Sequence, residues 1–255
     1  GEVTGTMDET IRHCVTKISH IHFPATKDAS KRIISMGEDK KNVYRVGCPY
    51  IEDIQKMNLF SKKEICQQFG IGEYEKFALL TQHPVTSEQK DTKENLKKTI
   101  LALKRFPEVK VIALFSNADA GGRFINKELK KDKNFNVFIN LNERKYLTLM
   151  KYASFMIGNS SAGIREAPSF GTPVINIGTR QQGRLRAKNV IDVNHNVDEI
   201  IYAIKKCLND KYYLKSIKKI KNPYFMKNTS LNIVNILGKL DYNNFNIQKI
   251  FHDKL

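Results

Sequence analysis

From about residue 76 onward, short continuous apolar runs recur at 77–81, 109–115, 136–139, 155–157, 174–177 and 190–193. Segments with helical period separate them, at 87–105, 122–131, 143–152, 162–170 and 197–209. A strand that alternates apolar and polar residues can leave one face in water, whereas a strand that is apolar throughout must be covered on both faces. Strands of the second kind, each followed by a helix, indicate a parallel sheet with helices on its two sides. About six of them in this order predict a doubly wound, Rossmann-like α/β domain. With 41% hydrophobic residues in 255, the chain has ample apolar material for such a core.

The first sixty residues carry a different pattern. Residues 8–19 have helical period, 20–25 read as extended, 27–36 as a second helix, and 43–46 as a strand ending in Gly47-Cys48-Pro49. So few elements cannot close a sheet of their own. Residues 1–60 are therefore expected to be the C-terminal remnant of a preceding α/β domain, 61–225 the Rossmann-like domain, and 226–255 a last helix with a frayed tail. That helix is predicted over 229–240, where Leu231, Ile233, Val234, Ile236, Leu237 and Leu240 form an apolar face that must pack on something. Beyond Asp241 the sequence turns asparagine-rich. The chain opens on Gly inside patterned sequence, as expected of a piece of a longer product. No apolar run reaches the roughly 18 residues of a membrane span, and no basic-then-apolar start resembles a signal peptide. A cytoplasmic protein without a membrane partner is expected.

A formal net charge of +17 raises nucleic acid as a partner. The lysines, however, fall in doublets such as Lys62-Lys63, Lys97-Lys98, Lys130-Lys131 and Lys205-Lys206, spread over many helix faces. That distribution reads as solvation, the aromatic residues fall mainly in apolar segments, and no nucleic-acid partner is expected. Cys14, Cys48, Cys66 and Cys207 show no C-x-x-C spacing and are read as free thiols. His20 and His22 share one side of an extended segment, but a third ligand is lacking, so no metal is expected.

In an open parallel sheet, ligands bind beyond the carboxyl ends of the strands. The segments found there are QHP with His83, SNADAGG with Asn117, NLNE, GNSSAG, and GTRQQGRLR with Arg180, Arg184 and Arg186. Gly158 lets the chain turn out of its strand, and Ser160 and Ser161 stand where a helix begins. Their hydroxyls and the unpaired helix N–H groups can surround a phosphate. Glu166 lies roughly 7–8 Å farther along that helix, at about 1.5 Å per residue. A carboxylate there can accept from a ribose diol while the serines hold a diphosphate. The guanidinium of Arg180 suits diphosphate charge; Arg184 and Arg186 read equally well as diphosphate contacts or as a solvated basic loop. A single serine would be no more than a helix cap. The whole constellation predicts a nucleoside diphosphate site.

Four stretches carry a resemblance: GEVTGTMDETIRHCVTKISHIHF at 1–23, LLTQHPVT at 79–86, FSNADAG at 115–121 and IGNSSAGIREAPSFGTPVINIGTRQQGR at 157–184. In order and spacing the chain resembles the hydrolysing UDP-N-acetylglucosamine 2-epimerases of sialic-acid biosynthesis, as far as about residue 240. The resemblance implies a GT-B-like fold with a nucleotide sugar between two Rossmann-like halves, no cofactor, and a homo-oligomer, dimer or tetramer, in the full-length protein. It implies a reaction in which a base removes the C2 proton as UDP leaves, giving a 2-acetamidoglucal. Water then adds, with protonation of C2 from the other face, to give N-acetylmannosamine and UDP.

Carried over residue by residue, His83, Asn117, Ser160, Ser161, Glu166 and Arg180 fall on the family's UDP-binding positions, and the backbone near Leu141 on its uracil contact. Asp8 falls on one catalytic carboxylate, with Arg12 beside it. The family's His-x-Glu-Gly-Gly run is represented only by its last Gly, and Glu2 is not the Glu of that run. Two opposed proton transfers call for more than one tuned acid–base group, so these 255 residues alone are expected to be inactive. The alternatives are a hydrolysing 2-epimerase for UDP-2,4-diacetamido-trideoxyhexose, a nonhydrolysing 2-epimerase, a GT-B glycosyltransferase and, from another class, a basic nucleic-acid-binding module.

Overall fold

The computed structural model describes residues 1–85, 90–117, 119–241 and 247–253. Two units emerge, one from Gly1–Lys56, Gln182–Leu185 and Asn222–Leu255, the other from Met57–Gln181 and Arg186–Lys221.

The smaller unit contains α1 (Asp8–Ile18), α2 (Lys27–Ser35) and α3 (Pro49–Lys56). The Thr26 side chain caps α2 by accepting from the Ala29 N–H. Pro49 opens α3, where its missing N–H is not needed. The strand expected at 43–46 does not form: one parallel bridge joins His22 to Val43. His22 donates to Asn42 O and Tyr44 to His22 O, but Pro24 has no N–H to extend the ladder. The helix expected over 229–240 spans Thr229–Leu237. Its first turn is anchored by Thr229 Oγ1 donating to Val46 O at 2.7 Å and by the Ser230 N–H donating to Glu52 Oε2 at 3.1 Å. Leu231 and Val234 on the same helix stay exposed, so part of its apolar face is uncovered within this unit.

The tail departs from expectation. Residues 242–246 lie outside the described residues, but 247–253, expected to fray, are fastened to this unit. Lys249 Nζ reaches Glu38 at 2.6 Å and donates to the Lys17 carbonyl at 2.8 Å, at the C-terminal end of α1 where a cation is favoured. The His252 N–H donates to Gly37 O. Glu38, only 3% exposed, also meets Lys17 Nζ at 2.6 Å and His22 Nε2 at 2.9 Å. Burial works to raise the Glu38 carboxyl, but hydrogen bonds from Lys17, Lys249 and His22 outweigh it and hold the group at about 2. Burial likewise pushes His22 below its ordinary 6.5 despite the bond to Glu38. A carboxylate held low contributes stability that is present above its ordinary 4.5 and lost as pH falls toward about 2; a histidine held neutral also favours unfolding below 6.5. Both act in the same direction. Glu38→Gln is expected to cost about 1.5–3 kcal/mol near neutral pH, because a buried carboxylate that accepts from three donors is lost, while Lys17, 43% exposed, can turn to water. It should also flatten the acid-side loss of stability between pH 4.5 and about 2, as read from denaturant midpoints over that range.

The larger unit is built on six parallel strands: β1 (Lys76–Thr81), β2 (Val109–Leu114), β3 (Phe135–Phe138), β4 (Phe155–Gly158), β5 (Val174–Ile177) and β6 (Val190–Val193). Their spatial order is β3-β2-β1-β4-β5-β6. This is the doubly wound sheet expected from the apolar runs. Inner strands β4 and β5 are buried along their whole length, and β1 at all but Lys76, while edge strands β3 and β6 are only partly covered. The helices are α4 (Lys62–Gln68), α5 (Thr92–Leu103), α6 (Gly122–Lys131), α7 (Glu143–Tyr152), α8 (Ser161–Arg165), α9 (Val197–Asn209) and α10 (Lys211–Ile217). On one side of the sheet Leu80, Phe155, Ile157, Ile175 and Ile177 pack with Leu96 of α5, Ile125 of α6 and Ile204 of α9.

The expected start of α5 at 87 falls outside the described residues. Short helices α3, α4 and α10 were not anticipated, being too short and polar for their period to stand out. The helix expected over 162–170 breaks after Arg165 and resumes as a 3-10 turn, Ala167–Ser169. Pro168 is the cause, since it offers no N–H and its ring clashes with the carbonyl four residues back. Among the described residues no helix is long and apolar enough to cross a membrane, and all four cysteines are free thiols.

Candidate functional site

The sheet order places β1 beside both β2 and β4, so chain direction around the sheet reverses between β1 and β4. A crevice at the carboxyl ends is expected there. The last rung of the β1–β4 ladder pairs Thr81 with Gly158. Gly158 then turns the chain out at φ +124, with its Cα so close to β1 that a Cβ would stand 2.1 Å from Thr81 O. Only glycine fits.

Beyond that rung lies His83. Its backbone N–H donates to Asn159 Oδ1 at 2.7 Å, and Asn159 Nδ2 donates to His83 O at 2.8 Å. The ring Nδ1 accepts from the Asn117 N–H at 3.1 Å and lies 3.3 Å from Ser116 Oγ. Burial, followed by the nearby charge of Arg180, depresses the ring to about 4. His83 is therefore neutral at physiological pH. With Nδ1 accepting, its proton sits on Nε2, which is left as a donor. The Ser116 N–H is itself held by Asn126 Oδ1 of α6 at 2.7 Å, and Asn117 Nδ2 donates to Asp119 Oδ2.

After β4, Ser160 is the N-cap of α8: its Oγ accepts from the Ala162 N–H at 3.3 Å. Capping consumes a lone pair and leaves the hydroxyl proton able to donate to an anion. Ser161, the first helical residue, is half-buried. Because α8 has five residues, an anion at its start would depend on hydroxyls and first-turn N–H groups more than on a helix dipole. Glu166 is the C-cap of α8, not a residue within a continuous helix as the sequence suggested. After β5, Arg180 Nη1 and Gln181 Nε2 both donate to Asn159 O, at 3.2 and 2.8 Å. Leu141 lies between β3 and α7, at the turn where the Asn142 side chain caps α7.

The larger unit thus carries His83, Asn117, Leu141, Ser160, Ser161 and Arg180 beyond the carboxyl ends of its strands, and Glu166 at the C-terminal end of α8. Asp8 and Arg12 belong to the smaller unit. Asp8, in the first turn of α1, is exposed and accepts from Thr6 Oγ1 at 3.2 Å. Arg12 donates to Thr4 Oγ1 at 2.6 Å and to the Glu2 carbonyl, and Glu9 accepts from the Thr4 N–H at 2.6 Å, which ties the first residues to α1. Arg184 and Arg186, read equally well as diphosphate contacts or as a basic loop, each meet a carboxylate. Arg184 sits 3.4 Å from Glu2 with its side chain 9% exposed, and Arg186 pairs with Asp192 at 2.7 Å. Each guanidinium is drawn to a carboxylate the sequence did not place beside it. Sequence reasoning passed over Asn159 and Gln181, 1% and 2% exposed. The available signal was an amide directly between the turn glycine and the serines. Among the described residues no group of three or more His, Cys, Asp or Glu could hold a metal ion.

Comparison with known proteins adds a lineage. Residues 1–238 match a family model described as UDP-N-acetylglucosamine 2-epimerase. A protein of Campylobacter jejuni named GDP/UDP-N,N'-diacetylbacillosamine 2-epimerase (hydrolyzing) is 40% identical over 202 residues, 77% of this chain and 53% of that protein. A protein of Neisseria meningitidis serogroup B named UDP-N-acetylglucosamine 2-epimerase is 37% identical over 208 residues, 80% of this chain and 54% of that protein. The crystal structure of UDP-GlcNAc 2-epimerase from Neisseria meningitidis bound to UDP-GlcNAc matches in fold with a TM-score of 0.78 at 23% identity, over 92% of this chain and 65% of that one. This chain spans about half the length of the curated relatives it matches.

Proposed function

The chain belongs to the UDP-N-acetylglucosamine 2-epimerase family, and from that premise we propose that its larger unit holds the UDP part of a UDP-sugar for hydrolysing 2-epimerisation. The observation that carries this reading is the convergence, at the switch between β1 and β4, of a neutral histidine, two serine hydroxyls and an arginine. In this reading His83 Nε2–H, the Ser160 and Ser161 hydroxyls and Arg180 donate to the diphosphate. Asn117 lies at the same rim, Glu166 accepts from the ribose diol, and the backbone near Leu141 meets the uracil. A diphosphate so held is a stabilised leaving group, because donors aimed at the departing charge lower the barrier to its departure.

The reaction proposed for the whole protein is loss of the C2 proton with departure of UDP, then hydration of the 2-acetamidoglucal with reprotonation of C2 from the opposite face. Asp8 is proposed as one acid–base group, with Arg12 beside it. Two opposed proton transfers require more than one such group. The 255 residues are therefore expected to bind UDP without turning over UDP-N-acetylglucosamine. Isothermal titration with UDP, beside product analysis for N-acetylmannosamine, checks both halves. Absence of UDP binding by folded protein would count against the nucleotide site, and appearance of N-acetylmannosamine would overturn the claim of inactivity.

A second reading has a specific motive: the 40% identical relative, and another from Legionella pneumophila at 34%, are named for N,N'-diacetylbacillosamine sugars. UDP-2,4-diacetamido-trideoxyhexose would share the UDP contacts and differ at the sugar. Turnover of the two UDP-sugars by the whole protein separates these readings.

A further inference from the structure

Asn159 is not among the UDP contacts proposed above, yet every polar group it has is spent on the elements that carry them. Its N–H donates to Thr81 O at 3.1 Å. Its carbonyl accepts from Arg180 and Gln181, and its side-chain amide both accepts from and donates to the backbone of His83. The reason lies in the sheet. The parallel ladder between β1 and β4 ends at Thr81 and Gly158, because Gly158 leaves the strand at a positive φ. Pro84 follows His83 and has no N–H, so β1 cannot continue either. The Asn159 amide, which has the donor and acceptor of a peptide group, supplies one further rung with a side chain in place of a backbone.

We infer that Asn159 is a positioning residue that sets His83 and Arg180 against the diphosphate of the bound nucleotide, while leaving the uridine end untouched. The assignment rests on the nucleotide reading above. The Asn159 side chain acts through His83, whose backbone it holds from both sides, while the carbonyl on which Arg180 and Gln181 land is backbone and is kept in every variant.

The test compares UDP, uridine and inorganic pyrophosphate as ligands of the whole chain, for the wild type, Asn159→Ser, His83→Ala and the double variant. Serine removes both bonds to His83 without adding charge. Asn159→Ser is expected to weaken UDP and pyrophosphate about tenfold or more, as loss of placed donors to an anion should, with uridine within about twofold. The double variant should bind pyrophosphate no worse than His83→Ala by more than about twofold, since the two residues act as one unit. Should the serine variant not fold, Asn159→Thr, which is close to asparagine in volume and adds no charge but cannot both accept from and donate to the His83 backbone, is expected to show the same selective loss. A variant that loses uridine as much as UDP, or losses that add in the double variant, overturns the assignment while the nucleotide site stands. A wild-type chain that binds none of the three ligands overturns the nucleotide reading itself, and the assignment with it.

Discussion

Replacing Gly158 with alanine is expected to destabilise the larger unit by about 4 kcal/mol or more, a large share of the roughly 5–15 kcal/mol that holds a domain folded. Two costs combine. The backbone at φ +124 is one that a residue with a Cβ rarely adopts, a strain of about 1–3 kcal/mol. The new methyl would also stand 2.1 Å from Thr81 O, a backbone atom of the neighbouring strand that cannot swing aside. Relief requires β1 and β4 to part at their carboxyl ends, which is where His83, Asn159 and the serines are held. UDP binding is expected to vanish with the local structure. Gly70→Ala provides the comparison: φ there is +62, but nothing lies within 4 Å of the added atom, so only backbone strain of about 1–2 kcal/mol applies. Denaturant midpoints for the two variants separate sterics from strain. Equal midpoints would mean that the close approach of β1 to Gly158 is not a constraint on the fold.

The second large effect is on binding with the fold intact. Ser161→Ala together with Glu166→Ala is expected to weaken UDP by about 100-fold or more. Each removes a hydrogen bond in which one partner is charged, worth about 1.5–3 kcal/mol, and every 1.4 kcal/mol is about tenfold in affinity. Both residues are only half-buried, and neither supplies the N-cap of α8, which is Ser160. The thermal midpoint should therefore move little. Titration of the double variant with UDP reads the loss directly; unchanged affinity in a folded variant would return Ser161 and Glu166 to the role of ordinary residues around a short helix. The two predictions differ in kind. Gly158 acts on the frame and Ser161 with Glu166 on the ligand, so stability and affinity should change separately.

The fold was legible where local chemistry is strong. Apolar runs at β5 and β6 stand at their expected bounds, as do the helices Gly122–Lys131, Glu143–Tyr152 and Val197–Asn209. Each is a long or strongly patterned segment whose neighbours in sequence suffice to announce it. Pro168 was also in plain view, and its effect on the helix after β4 could have been read from the ring alone. The fastening of residues 247–253 could not. It depends on Glu38, distant in sequence, whose one buried carboxylate gathers the exposed Lys17, the buried His22 and the partly buried Lys249.

The candidate site divides in the same way. Glycine, serines, histidine and arginine at the strand ends were found from the sequence, because a parallel sheet puts every carboxyl end on one rim regardless of how its strands are ordered. Which of those groups are available for a ligand was decided by tertiary structure. Arg180 is placed against Asn159 O, whereas Arg184 and Arg186, from the same short run, are drawn to Glu2 and Asp192. Periodicity and turn residues are properties of neighbours along the chain, so the sequence by itself determined the six strands of the sheet, most helices and the rim on which the candidate site lies. Ion pairs, a histidine's protonation and the rung that Asn159 adds between His83 and the serine turn arise from groups distant in sequence. Their energies depend on burial and on angles of approach that exist only once the chain has folded.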